Sequence, residues 1–340
     1  MPEKEVNLLS GEQPTQSAKP VPHKDESPPK ETSQMIHGTR PDFSSELNPT
    51  SSPADIISFL ANKTTDELIP WEEVQLPSLG IYYNGLIPDG KVQVRPMTIY
   101  TEKILATARL AQTNQSIDYV YKNCVKFPST FDPLDLLNGD RMFLLFYIRG
   151  VTYGNDYEFM ITCTNDACKQ QSTHEYDLNM LASTIRAPKH PTEPIKIALP
   201  YSSEITKREV WVEIRFLRGR DMQVINQRRS IRDKAIGAPV RNAKSGMSSP
   251  VESVALDDAI EANLNLVAVS ANGLKDRNIL SQFISKLHGI DTAAIRKCLN
   301  DEAPGIDMDI VVTCPHCQNE MRMPLPFTDS FFRPTHRGGM

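Results

Sequence analysis

Residues 161–171, ITCTNDACKQQ, and residues 312–320, VTCPHCQNE, decide how this chain is read. They hold four of its six cysteines, Cys163 and Cys168 in the first stretch and Cys314 and Cys317 in the second. Tyr157, Phe159 and Ile161 recur at every second position before the first pair, as do Met321, Met323 and Leu325 after the second. A period of two is the pattern of a strand with one buried face. Each pair therefore falls at a turn between two short strands, and Thr164, Asn165, Asp166 and Pro315 suit turn positions. Zinc takes four thiolates in a tetrahedron at roughly 2.3 Å, and two such turns facing each other supply that set. The expectation is a split, zinc-ribbon-like pair of hairpins with Cys163, Cys168, Cys314 and Cys317 as ligands of one structural zinc. The C-x-x-C half has a standard spacing, and the C-x-x-x-x-C half is wider. Residues 169–313 would then form an excursion that returns the chain to its starting point, so the site marks a closed unit rather than a detachable finger.

Other readings of these cysteines compete. A disulfide framework fits poorly with six cysteines in 340 residues and no evident signal peptide. The CPHC string also resembles a redox dithiol, which opens a helix after a strand. Here Gln318 to Pro326 alternate and include Pro324 and Pro326, so a strand is expected to follow. His174 and His316 are possible substitute ligands. Cys124 and Cys298 lie in helical segments and read as small buried hydrophobes.

The first residues are of a different character. Residues 1–52 are rich in Pro, Ser, Thr, Lys and Glu and read as a disordered tail, because they cannot bury enough apolar surface to offset chain entropy. Ser52 followed by Pro53 is a helix start, and Ile56, Ile57 and Leu60 give a short amphipathic stretch. That stretch is expected to pack on its own domain, with docking on a partner as the alternative. Residues 336–340 read as a disordered end. No apolar run approaches the roughly 20 residues that cross a bilayer, and the formal net charge of −5 gives no general attraction for nucleic acid or acidic membrane. One basic cluster stands out: Arg215, Arg218, Arg220, Arg228, Arg229, Arg232, Lys234, Arg241 and Lys244. It reads either as a solvated helix face running into a flexible insertion at about 238–255, or as contact with an acidic partner.

The remaining pattern is α+β, a mixed helical domain with short antiparallel strands. Turns are expected at Pro77–Gly80, Asn84–Gly85 and Pro88–Gly90, followed by a strand through Val92 and Val94. Helices are expected from Thr98 through Leu110, from Ile117 to Cys124, and from Pro133 to Arg149. In the last, Asp140 and Arg141 are either a charge pair inside the protein or solvent-facing residues. Ile195, Ile197 and Leu199 with Val210, Val212, Ile214 and Phe216 suggest a hairpin. Helices follow over residues 221–236, over Leu256–Leu287 with an interruption near Gly273, and over Thr292–Asn300. The organisation expected is a tail over 1–52, a part over 53–155 with strand, turns and helices, and a part over 156–335 that holds the cysteines.

Several blocks together carry a family resemblance. LPSLGIYYNGLIPDGKVQVRPMT (76–98), FDPLDLLNGDRMFLLFYIRGVTYGNDYEF (131–159), the two cysteine pairs, FLRGRD (216–221) and CPHCQNEMRMPLPFTDSFFRP (314–334) resemble the baseplate proteins of T-even-type contractile-tailed bacteriophages. The resemblance covers roughly residues 70–335 and is nearest to the proteins of baseplate hub assembly. It implies a structural or assembly protein of the virion tail, acting with other baseplate or tail proteins, in the particle or in the host cytoplasm during tail assembly. The N-terminal tail, the 238–255 insertion and the wide first cysteine spacing depart from the family pattern.

The residues agree with a non-enzymatic role. The chain has no Walker-type phosphate loop, no HExxH helix and no GxSxG elbow. A site closed by four thiolates leaves no open position for water or substrate. The alternative is a zinc-ribbon nucleic-acid-binding module that uses the Arg-rich segment 215–244.

Overall fold

The computed structural model describes residues 39–105, 115–237, 260–326 and 331–332, all within one compact unit. The expectations for residues 1–38, for the helix beyond Leu105, for the 238–255 insertion and for residues 336–340 lie outside them. The α+β expectation is borne out: helices alternate with short strands, and every paired strand is antiparallel.

Strands β1 (Glu72–Gln75), β2 (Lys91–Val94) and β3 (Val125–Lys126) make one three-stranded sheet. Strands β6 (Ile195–Ala198), β7 (Trp211–Ile214) and β8 (Ala268–Ala271) make a second. Between and after them come two separate hairpins, β4 (Asp156–Thr162) with β5 (Gln171–Asp177), and β9 (Asp309–Thr313) with β10 (Glu320–Pro324). The alternation predicted from Tyr157, Phe159 and Ile161 is the inward face of β4, and Ile310 and Met321 are its counterparts on the other hairpin.

The core forms around one helix, α1 (Asn138–Tyr153), in which Asp140, Arg141 and every residue from Phe143 to Gly150 are buried. A helix apolar on nearly all sides belongs inside a protein. This one runs through Gly154 straight into β4, so its position fixes the first cysteine hairpin. Its start is clamped from the other end of the sequence. A Cβ on Gly139 would sit 1.9 Å from the carbonyl oxygen of Pro304, so the lead-in to β9 crosses the helix backbone to backbone. At their bases the two hairpins are tied by the Tyr157 hydroxyl, which donates to the carbonyl of Pro326 at 2.8 Å. Phe331 then packs edge-on against both Phe146 and Tyr157.

Asp140 and Arg141 are both buried, yet they do not pair with each other. Asp140 accepts from the Ser78 backbone N–H (2.9 Å), the Ser78 hydroxyl (2.5 Å) and the Tyr83 hydroxyl (2.5 Å). Arg141 reaches the carboxylate of Asp118 at 2.6 Å. Neighbours on a helix point about 100° apart, so each found its own partner.

Other boundaries differ from expectation for local reasons. The helix expected from Pro133 begins only at Asn138, because Pro133–Asp135 forms a 3-10 turn and Leu137 bridges to Arg218 in extended conformation. The block expected to be helical over Leu256–Leu287 is broken by β8, where Ala268 and Ser270 turn inward against β7. Tertiary pairing overrides helix propensity there. The connection between β6 and β7 contains a short helix, Pro200–Thr206. At the N-terminal side, helix Pro53–Asn62 has the predicted Ser52 cap, completed reciprocally by Asp55. None of its residues is fully buried: Ile56, Phe59 and Leu60 are half-buried, Ile57 is 66% exposed, and Phe59 meets the edge of Phe43.

Candidate metal centre

The four cysteines predicted from opposite parts of the sequence converge at the tips of the two hairpins. Their sulfurs all lie within 4.8 Å of one another, a set that could hold a metal ion. The Cys163 and Cys317 sulfurs are 3.6 Å apart, and those of Cys168 and Cys314 are 3.9 Å apart. A tetrahedron of 2.3 Å metal–thiolate bonds has edges of about 3.8 Å. A disulfide needs about 2.05 Å, and all six cysteines are free.

The two turns solve unequal spacing with one backbone form. In the second, the Gln318 N–H donates to the Cys314 carbonyl (2.9 Å), and Gln318 takes a left-handed conformation with φ 59°. In the first, the Lys169 N–H donates to the Asn165 carbonyl (3.0 Å), and Lys169 is left-handed with φ 49°. Cys168 thus occupies the place of Cys317, while Asn165 takes the backbone place of Cys314. Cys163 lies two residues further back, just past the end of β4, and its sulfur accepts the Asn165 N–H at 3.5 Å. The two extra residues of C-x-x-x-x-C are absorbed by this offset. Asn165 also steadies the turn by accepting the Ala167 N–H at its side-chain oxygen (3.0 Å).

Polar hydrogens aimed at sulfur favour thiolate over thiol. Burial raises the Cys314 thiol, but the backbone N–H groups of Cys317 and His316, with the neighbouring sulfurs, bring it down to about 7. The Asn165 N–H lowers Cys163, yet burial and the adjacent thiols outweigh it and push this group up to about 12. The first turn also reaches the second directly. The Asn165 side-chain amide lies 3.8 Å from the Cys317 sulfur, and the Asn319 amide donates to the Thr164 hydroxyl at 3.3 Å. In the sequence Asn165 was read only as a turn residue and Asn319 was not singled out; the available signal was their place beside the cysteines.

The other candidates fall elsewhere. His316 is exposed, while His174 stacks on Phe159 and bonds the Ser172 hydroxyl at 2.8 Å. Cys124 is buried as expected, where burial pushes its thiol up to about 11, and Cys298 is half-buried against the core. The strand β10 follows Cys317, so the dithiol has no helix behind it as a redox site would.

At its start the basic cluster is paired with acids of the same chain: Arg215 and Arg218 are largely covered, and Arg220 is paired but 55% exposed. Arg215 makes two bonds to Asp221 (2.6 and 2.8 Å), Arg218 meets Glu193 (2.6 Å), and Arg220 meets Asp135 (2.6 Å) and Asp132 (2.8 Å). These arginines tie FLRGRD to segments 25–88 residues away in the cases of Glu193, Asp135 and Asp132. Acids distant in sequence neutralise Arg218 and Arg220, which sequence proximity could not reveal, whereas Arg215 pairs with nearby Asp221. Arg228 is exposed; Arg241 and Lys244, and the side chains of Arg229, Arg232 and Lys234, lie outside the description.

Among the described residues, no helix is long and apolar enough to cross a membrane. No curated protein and no solved structure matches the chain. The family model described as T4 bacteriophage base plate protein matches residues 81–333, which takes in the buried helix, both hairpins and all four converging cysteines. The chain therefore belongs to the T4 bacteriophage base plate protein family.

Proposed function

We propose that the chain is a non-enzymatic structural or assembly component of the baseplate hub, and that Cys163, Cys168, Cys314 and Cys317 hold one structural Zn2+. The observation that carries this reading is the pair of sulfur distances across the hairpins, 3.6 and 3.9 Å, in a chain of a baseplate family. The donor set is four soft thiols with no acidic or histidine member, which suits zinc. When bound, the ion supplies folding free energy by joining four thiolates. The protein's own residues do the rest: the two left-handed turns aim the sulfurs inward, and N–H donors stabilise their charge.

In this reading the site is a staple. It joins the end of the helix-to-β4 segment to the C-terminal hairpin, and the surface so fixed is offered to other baseplate or tail proteins. The protein would act in the virion tail or in the host cytoplasm during tail assembly. Residues 53–155 and 156–335 would be two parts of one scaffold, preceded by the tail 1–52. The internal pairing of Arg215, Arg218 and Arg220 counts against the nucleic-acid alternative, since these guanidinium groups already have acidic partners.

The test is mass spectrometry of purified particles set beside pull-downs from infected cells. The reading expects a stoichiometric complex with baseplate subunits in at least one of the two. Recovery of the chain in neither complex sinks it.

A further inference from the structure

The two cysteine turns differ at one position of their common backbone frame. Where the second turn carries the thiol of Cys314, the first carries Asn165, and each is followed three residues later by a cysteine, Cys317 or Cys168. The backbone bonds match, since Lys169 donates to the Asn165 carbonyl as Gln318 does to that of Cys314. The side chain at position 165 therefore leaves the backbone where a ligand leaves it in the other turn. Asn165 is half-buried, while Thr164 and Asp166 on either side of it are exposed.

The polar groups of Asn165 are used in three directions. Its backbone N–H donates to the Cys163 sulfur at 3.5 Å. Its side-chain oxygen accepts the Ala167 N–H at 3.0 Å, which fixes the orientation of the amide, because only the oxygen can accept. The amide NH2 is left facing the Cys317 sulfur at 3.8 Å, 152 residues away on the other hairpin. One residue thus offers a hydrogen to a sulfur of each hairpin. The turn alone does not require this. Aspartate accepts a backbone N–H two residues on equally well, but it has no hydrogen to offer and would set a carboxylate against thiolates.

We infer that Asn165 is a positioning residue of the metal centre: it is not a ligand, and by donating to Cys163 and Cys317 together it holds the two half-sites at the spacing that one ion requires. This rests on the metal reading above and names the residue on which the affinity of that site depends. Donors to ligand atoms orient them before the ion arrives and share the negative charge where four thiolates meet. The other ties between the hairpin tips do not touch a cysteine sulfur. The Asn319 amide meets the Thr164 hydroxyl at 3.3 Å, and the Thr164 N–H meets the Met321 sulfur at 3.3 Å.

The test is the zinc affinity of the full chain, measured by competition with a chromophoric chelator in the parent, in Asn165→Asp and in Asn165→Ala. Asn165→Asp keeps the acceptor for Ala167 and removes the amide donor, whereas Asn165→Ala removes both. A loss of at least about tenfold is expected in each variant. A smaller loss in Asn165→Asp overturns the inference, even where Asn165→Ala binds weakly, because the residue then serves the turn alone. Should Asn165→Asp fail to fold, the parent chain loaded with cadmium-113 decides. Scalar coupling from the metal through sulfur to the side-chain amide protons of Asn165 is expected, and its absence overturns the inference. A parent chain that binds no zinc overturns the metal reading as well, whereas a tight parent site matched by Asn165→Asp overturns this inference alone.

Discussion

The sulfur of Cys163 lies 3.6 Å from that of Cys317, 154 residues further along the chain. Cys168 and Cys314 are likewise neighbours across the hairpins rather than within a turn. One shared ion would therefore close a very long loop, which is where a cross-link constrains the unfolded chain most. Cys163→Ser and Cys317→Ser should each cost more than about 3 kcal/mol, because either change would disable the whole of the proposed structural zinc site. The double variant should be scarcely worse than either single one, since both act through one ion. Urea unfolding of the three variants measures this, and fully additive losses would contradict a shared site.

The left-handed residues after Cys168 and Cys317 offer an independent check on turn geometry. A non-glycine residue in this region is strained by roughly 1–2 kcal/mol, and glycine adds back an entropic penalty of about 0.5–1 kcal/mol. Gln318→Gly should therefore raise stability, by up to about 1 kcal/mol, with metal content unchanged. The same sign is expected for Lys169→Gly, whose ion pair with exposed Asp166 contributes little. Thermal melts of the two variants decide the matter; a clear loss of stability in both would mean that the turns are not of this form.

Asp140 should leave a mark on the pH dependence of stability. Burial raises its carboxyl to about 6, against the bonds from Ser78 and Tyr83 that lower it, while Tyr83, itself buried, is held well above its ordinary value and stays a donor. With the folded pKa above the unfolded one, the folded state binds the proton more tightly. The resulting contribution is fully present below about pH 4 and is lost as pH rises to about 6, on the order of 2–3 kcal/mol in total. Asp140→Asn, which cannot titrate, should remove that decline. Denaturant unfolding between pH 4 and 7 tests it, and parallel profiles for the two proteins would contradict the assignment.

The sequence was most legible where a local pattern had one reading. Alternation around the cysteines gave both hairpins, Ser52 and Pro53 gave a helix start, and the apolar run Phe143–Ile148 gave the central helix. Long-range partners were hidden. Asp140 and Arg141 read either as a charge pair or as solvent-facing residues, yet both are buried and their partners are Ser78 and Asp118. Strand β8 was hidden because Leu264 and Val267 continue a helical period into a segment whose fate is decided by pairing with β7. The four cysteines were individually legible, but the offset that reconciles their spacings depends on Asn165 taking the backbone role of a cysteine, which no spacing rule expresses.

The central claim is that these thiolates share one zinc ion that holds the hairpins together. The most direct measurement is elemental analysis of the full chain purified without added metal, paired with thermal melts before and after removal by a strong chelator. The account predicts about one zinc per chain and a large fall in melting temperature that added zinc restores. Protein without bound metal that melts at the same temperature, with or without zinc, would contradict it.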